Sequence, residues 1–219
     1  MASYEFRYVG ADSLPSRLSE FDVQQYFRLS KFDVTALNGR FRTDRRFGAA
    51  VLLLFMRASG RPMDRFTTLP KALLQHVGEA LNIRAPTIAS LRSIYARRQT
   101  LYEHQLWLKG YLGHKDVDQA ASDQLVAHLR AQASEVTSVD ELVTTANRWL
   151  YDQKRVIPAD RQVRDLARKC YASAEAAILK VVEASISRQS IARCRSSVFG
   201  LHGGGPMTVL EWLKTPPKR

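Results

Sequence analysis

Residues 40–60 read RFRTDRRFGAAVLLLFMRASG. Arg40, Arg42, Arg45 and Arg46 crowd into the first seven positions, and Phe47 to Met56 then carry no charge. That uncharged run is about half of the roughly 20 residues a helix needs to span a bilayer, so it reads as a buried core helix. Thr43 is placed to cap it, Asp44 to sit favourably in its first turn and Gly60 to stop it, which predicts a helix over 44–58.

Working outward, helical punctuation recurs and no Asn-Gly or Asp-Gly turn joins alternating strands; Asn38-Gly39 follows a helical pattern and reads as a C-cap. Helices are expected over 19–27, 31–37, 70–81 (opened by Pro70, closed by Asn82) and 88–112, capped by Thr87 and interrupted once. Beyond Gly113 the pattern continues over 116–134. A capping box at Ser138 to Glu141 opens a helix burying Leu142, Trp149 and Leu150. After Pro158, Val163, Leu166, Cys170, Ala174, Ala177, Ile178 and Val181 recur at helical steps, predicting one helix of about seven turns. A turn at 201–206, a short helix near 209–214 and a tail, TPPKR, complete the chain. The expected fold is all-α without significant sheet, in two helical subdomains with helix-turn-helix-like modules, 1–113 and 114–219, the second holding the long helix.

The 219 residues carry 33 basic and 21 acidic side chains, a formal net charge of +12, of which +8 falls in residues 1–110. Most of the cations are arginine, whose planar fork pairs with phosphate and guanine, so nucleic acid is the expected polyanionic partner and a membrane surface is not. The start, MASYEFRYVGADSLP, lacks the apolar centre of a signal peptide, which predicts an intracellular protein. Cys170 and Cys194 are too few for a disulfide framework or a zinc site and read as reduced core thiols.

Catalytic constellations are hard to find. His76, His104, His114, His128 and His202 show no compact metal spacing, and Gly203 to Gly205 lack the Lys-Ser/Thr of a P-loop and a preceding strand. No catalytic residue, metal or cofactor is assigned. The basic clusters carry more information. Arg40, Arg42, Arg45 and Arg46 surround a helix N-terminus, which suits a phosphate. Arg92, Arg97, Arg98 and Lys109 interleave with Tyr95, Tyr102 and Trp107, aromatics that fit a core as well as a stacking platform. Arg161, Arg164 and Arg168, at offsets of three and seven, share one helical face. Each cluster also fits a solvated charged face.

The segments RRFGAAVLLLFMRASGR, LPKALLQHVGEALNI and IYARRQTLYEHQLWLKGYLG, with the ending LEWLKTPP, resemble the N-terminal region of the Tn-three family of replicative, class II transposases. The family pattern falls on Arg46, Phe47, Gly48, Gly60, Arg61, Tyr95, Arg97, Arg98, His104 and Gly113. RASGR departs from it, since the family often has an aromatic and a proline before Gly-Arg. The resemblance implies a helical, two-module region that binds double-stranded DNA at the transposon's terminal inverted repeats. It further implies that the metal-holding acidic residues lie downstream, so this chain should bind without cutting. The remainder of the transposase is then a partner, a homodimer is open to the full-length protein, and the setting is the bacterial cytoplasm, with the nucleoid when DNA is bound. The rival reading is a helical protein-protein interaction or regulatory module whose basic surface does not bind DNA specifically.

Overall fold

A computed structural model describes residues 6–201, 203 and 205–214, and among them the chain is all-α, with no sheet and two isolated bridges, Lys115 with Arg155 and Leu201 with Thr208. His202, Gly204 and the TPPKR tail, three features of the sequence reading, lie outside the described residues. Eleven helices are seen there: α1 (Glu20–Tyr26), α2 (Lys31–Arg40), α3 (Thr43–Ser59), α4 (Lys71–Leu81), α5 (Ile88–Ile94), α6 (Arg98–Leu112), α7 (Gln119–Gln132), α8 (Val139–Asp152), α9 (Asp160–Ser185), α10 (Arg188–Phe199) and α11 (Val209–Lys214). They belong to two compact units, residues 1–171 and 172–219. The turn at Gly113, where two DNA-binding subdomains were expected to meet, falls inside the first unit.

The core of the first unit is α3. Every residue from Phe47 to Met56 is buried, which leaves this helix no solvent face, and α1, α2, α4 and α6 all pack on it. At about 1.5–3 kcal/mol for each fully buried Leu, Phe, Val or Met, this run is the largest apolar contribution of any single element. Gly60 ends α3 in the left-handed region (φ 73°), its N–H bonding back to the Met56 carbonyl at 2.9 Å. The Gly60 carbonyl accepts from the Ile157 N–H at 2.9 Å, and the Tyr151 hydroxyl donates to the Arg57 carbonyl at 2.7 Å. The segment after Gly113 is thereby tied to the C-terminal end of α3.

Local chemistry explains most boundaries. Complete capping boxes, Ser19 with Asp22 and Ser30 with Asp33, open α1 and α2. Asn82, at φ 53°, closes α4, and Thr87 caps α5. Other boundaries correct the sequence reading. Asn38-Gly39 is not a C-cap: α2 continues through both to Arg40, and Phe41 ends it in extended backbone, its N–H on the Leu37 carbonyl. Thr43 lies within α3, and Arg42 is the N-cap without a side-chain bond. At α8 only half of the expected box forms, because Ser138 accepts from the Glu141 N–H while Glu141 turns to the Thr137 N–H and hydroxyl. Trp149 is partly exposed rather than buried.

The long helix α9 is present, but its apolar stripe is buried only at Val163 and Cys170, with Ala167 buried beside them. In the second unit Ile178 and Val181 are exposed, as is Cys194 on α10, so that cysteine is not a core thiol. Among the described residues no helix is long and apolar enough to cross a membrane.

Gly48 lies where α3 passes Tyr95. A Cβ built there would fall 2.5 Å from Tyr95 Cε2 and 2.6 Å from its hydroxyl, and neither ring nor helix can yield without disturbing the core. Gly48→Ala is therefore expected to destabilise the protein by about 1–3 kcal/mol in urea unfolding. An unchanged midpoint would show that the junction is looser than described.

Candidate nucleic-acid interface

The site is built around the Tyr95–His104 pair. Tyr95 ends α5 and packs against Phe66, and its hydroxyl lies 2.9 Å from His104 Nδ1 on α6. His104 also meets the Phe41 ring, with centroids 4.4 Å apart, and Phe41 joins α2 to α3. Burial, then the charge of Arg45, push His104 down to about 4; Glu103 opposes this and Arg40 adds to it. Burial raises the Tyr95 hydroxyl, against Arg45. Both rings are therefore neutral at physiological pH. Arg40 and Arg45 lie within electrostatic reach of this pair, and Arg98 lines a cleft with Tyr95, so cations from two stretches of sequence meet it.

The eleven basic residues singled out in the sequence divide sharply. Arg46 donates from Nε to the Phe41 carbonyl (2.9 Å) and from Nη2 to the Asn38 carbonyl (3.1 Å), so it closes the end of α2. Arg92 does the same for the loop before α4, through the Phe66 (2.7 Å) and Thr67 (2.9 Å) carbonyls. Lys109 is paired with Asp116 at 2.6 Å. On α9, Arg161 lies 3.8 Å from Asp165, Arg168 lies 3.4 Å from the same carboxylate, and Arg164 bridges Asp160 and Asp140. Arg40, Arg42, Arg45, Arg97 and Arg98 are exposed and have no acidic partner among the described residues. Arg40 and Arg45 both act on His104, and Arg98 shares with Tyr95, Arg61, Arg65 and the acids Asp12 and Asp64 a cleft of about 1000 Å³.

Several residues of the family pattern prove to be internal. Arg61 is 4% exposed, ion-paired with Asp12 through Nη1, while its Nε and Nη2 are buried with no protein partner. Gly113, like Gly60, is a left-handed C-cap, at φ 71°. Of the aromatics interleaved with the second cluster, Tyr95 is buried, Trp107 is half-buried and stacked on Tyr111, and Tyr102 is 60% exposed.

The sequence reading passed over a buried carboxylate. Asp33 accepts from Arg57 Nη1 (3.0 Å) and Nη2 (2.5 Å), from the Ser30 N–H (2.7 Å) and from the Tyr111 hydroxyl (2.9 Å). Burial alone would raise its pKa. The hydrogen bonds from Arg57 and Ser30, with the Arg57 charge, outweigh that and hold it at about 2. Its partners lie 24 and 78 residues away, so only the capping-box spacing was visible locally. Exposed Arg28 and Lys31 were also missed, each standing apart from the denser clusters. Among the described residues no group of three or more His, Cys, Asp or Glu side chains is placed to hold a metal ion.

The folded protein resists protonating His104 until the pH nears 4, whereas the unfolded chain takes that proton near 6.5. Stability should therefore fall as pH drops through this window, by up to about 3 kcal/mol from His104. His104→Gln, able to keep a bond to Tyr95, should flatten this part of a denaturant-midpoint-versus-pH curve; His76 and His114, also lowered by burial, supply the remaining slope. An identical slope in both proteins would contradict the burial of a neutral His104.

Residues 11–170 match the family described as "Domain of unknown function (DUF4158)". The transposase for insertion sequence element IS1071 in transposon Tn5271 of Comamonas testosteroni is 32% identical over all 219 residues of this chain, which cover 22% of that protein. The transposase for transposon Tn1546 of Enterococcus faecium is 23% identical over 90% of the chain, and that for transposon Tn2501 of Escherichia coli is 22% identical over 86%. The chain spans about a fifth of the length of these relatives, covering 20% and 18% of the latter two. The resemblance to transposases read from the sequence is borne out by these matches.

Proposed function

Since the chain belongs to the DUF4158 family and its relatives are transposases, we propose that it binds the terminal inverted-repeat DNA of a transposon as a non-catalytic part of a transposase. The observation that carries this reading is the free cationic rim: Arg40, Arg42, Arg45, Arg97 and Arg98 are exposed and none of them is ion-paired with an acid among the described residues, while Arg40 and Arg45 act on the buried His104 and Arg98 lines a cleft with Tyr95. Guanidinium groups left without protein partners are suited to phosphate oxygens, and the duplex offers these in a regular track.

The neutral rings beneath add no charge to the rim. A protonated His104 would add a charge that Arg45 and Arg40 already disfavour, so the charge is carried by arginines alone, which stay charged at all physiological pH values. On this reading Arg46 and Arg92 act indirectly, by fixing the backbone on which the free arginines stand. Lys109, Arg161, Arg164 and Arg168 would contact DNA only by giving up, or sharing, their carboxylates. In this scheme the rim docks the duplex and the α9 face supplies a second, weaker contact. Two linked contacts on one duplex raise each other's effective concentration.

The test is fluorescence anisotropy with a duplex carrying the element's terminal inverted repeat and a scrambled duplex. If about 6–10 phosphates are neutralised, affinity should fall by about 10³ to 10⁵ between 50 and 200 mM salt. Replacing Arg40, Arg45, Arg97 and Arg98 together by Glu should abolish binding to both duplexes, whereas Arg164→Glu should weaken it only slightly. Tight binding by the fourfold variant would overturn the role of the rim. The rival, an interaction module that takes an acidic protein surface, is favoured if neither duplex gives a salt-sensitive signal.

A further inference from the structure

Helix α2 divides cleanly in cross-section. Leu37 and Asp33 are buried, Val34 packs on the core, and Phe41 continues that side. The opposite side carries Phe32, Thr35, Ala36 and Gly39, spaced by three, four and seven residues and so on one stripe. Phe32 is 84% exposed, the most exposed large apolar side chain among the described residues.

A single exposed apolar residue carries little weight. Gly39 gives this one its meaning. It lies inside α2 with an ordinary helical backbone, and a Cβ built on it would meet nothing within 4 Å. Neither a left-handed turn nor close internal packing calls for glycine there, and a glycine inside a helix costs about 1 kcal/mol relative to alanine. The cost is understandable if something outside the protein approaches the helix backbone closely at that point. A smooth stripe with one protruding ring is thus presented outward.

Charge identifies the occupant. Lys31 and Arg40 stand at the two ends of α2, Arg28 precedes it and Arg42 follows it, all exposed. The helix's own carboxylate, Asp33, is buried and consumed by Arg57. An apolar stripe framed by cations, without an exposed acid of its own, fits a polyanion with an apolar interior. Ten residues of helix are about 15 Å long, and the major groove, about 12 Å wide, admits a helix.

Resting on the DNA reading above, we propose that the outward face of α2 enters the major groove, with Gly39 allowing close approach and Phe32 packing on base edges such as thymine methyl groups. The rim arginines then position the duplex, and α2 supplies sequence preference. The preference resides in an apolar contact, outside every arginine cluster.

The same anisotropy titration, with the inverted-repeat and scrambled duplexes at fixed salt, tests this on Phe32→Ala and Gly39→Gln. Both should fold, because both sites face solvent, and Gly39→Gln should raise the thermal midpoint. Each should lower inverted-repeat affinity about tenfold or more, the loss of a good base contact, while scrambled-duplex affinity changes less than about twofold. Wild-type-like preference in both variants overturns the assignment of α2 alone. No binding of either duplex by the wild-type chain overturns the DNA reading and this assignment with it. If light scattering shows that Phe32→Ala abolishes self-association without changing DNA preference, the face docks a second copy and the proposal is likewise wrong.

Discussion

Helix α3 has no side facing water between Phe47 and Met56, and that constraint orders the rest of the first unit. A helix buried on all sides must be covered on all sides, and α1, α2, α4 and α6 do this. Polar function is thereby excluded from its length and pushed to its ends. At the C-terminal end the chain exits through left-handed Gly60, whose carbonyl receives Ile157. At the N-terminal end, Arg42 and Arg45 are exposed, Arg46 is spent on closing α2, and Gly48 lets Tyr95 approach. Of the four arginines at the doorstep of the apolar run, Arg46 is thus scaffold, and Arg40, Arg42 and Arg45 are free surface.

The division bears on the family pattern. Gly48, Tyr95 and His104 form one buried junction and Phe47 is buried in the same core, which places them in the packing of the interface rather than on its surface. Arg61 is internal as well, held to Asp12. Only Arg97 and Arg98 of that pattern lie free to meet a ligand, so what the pattern records is mainly the junction that fixes where the free arginines stand.

Much of the fold was legible in the sequence because it is written locally. A ten-residue apolar run with an acidic first turn before it and Gly60 after it reads as a buried helix, a Ser-x-x-Asp spacing caps, and Asn82 ends a helix because its side chain tolerates the left-handed region. The errors have local causes too. Asn38-Gly39 resembles a helix end in composition, yet Phe41 supplies the bond that carries the helix past it. The stripe on α9 reports a shared face beyond Cys170 but cannot report whether anything covers it, and Ile178 and Val181 are exposed. The candidate interface was legible only as a set of cations. Which were available depended on partners far off in sequence, Asp140 for Arg164 and the Phe66 carbonyl for Arg92, and local spacing holds no record of these. The significance of Phe32 and Gly39 likewise required knowing which side of α2 was already occupied.

The central claim is that the arginines left without protein partners are the ones that hold DNA. Side-chain Nε–Hε resonances of the arginines, followed by NMR while the inverted-repeat duplex is added, test it most directly. Selective shifts at Arg40, Arg42, Arg45, Arg97 and Arg98, reversed by salt, with Arg46 and Arg92 unmoved on their backbone carbonyls, are the predicted result. Shifts confined to the carboxylate-paired arginines of α9, or equal shifts at all arginines, would contradict it.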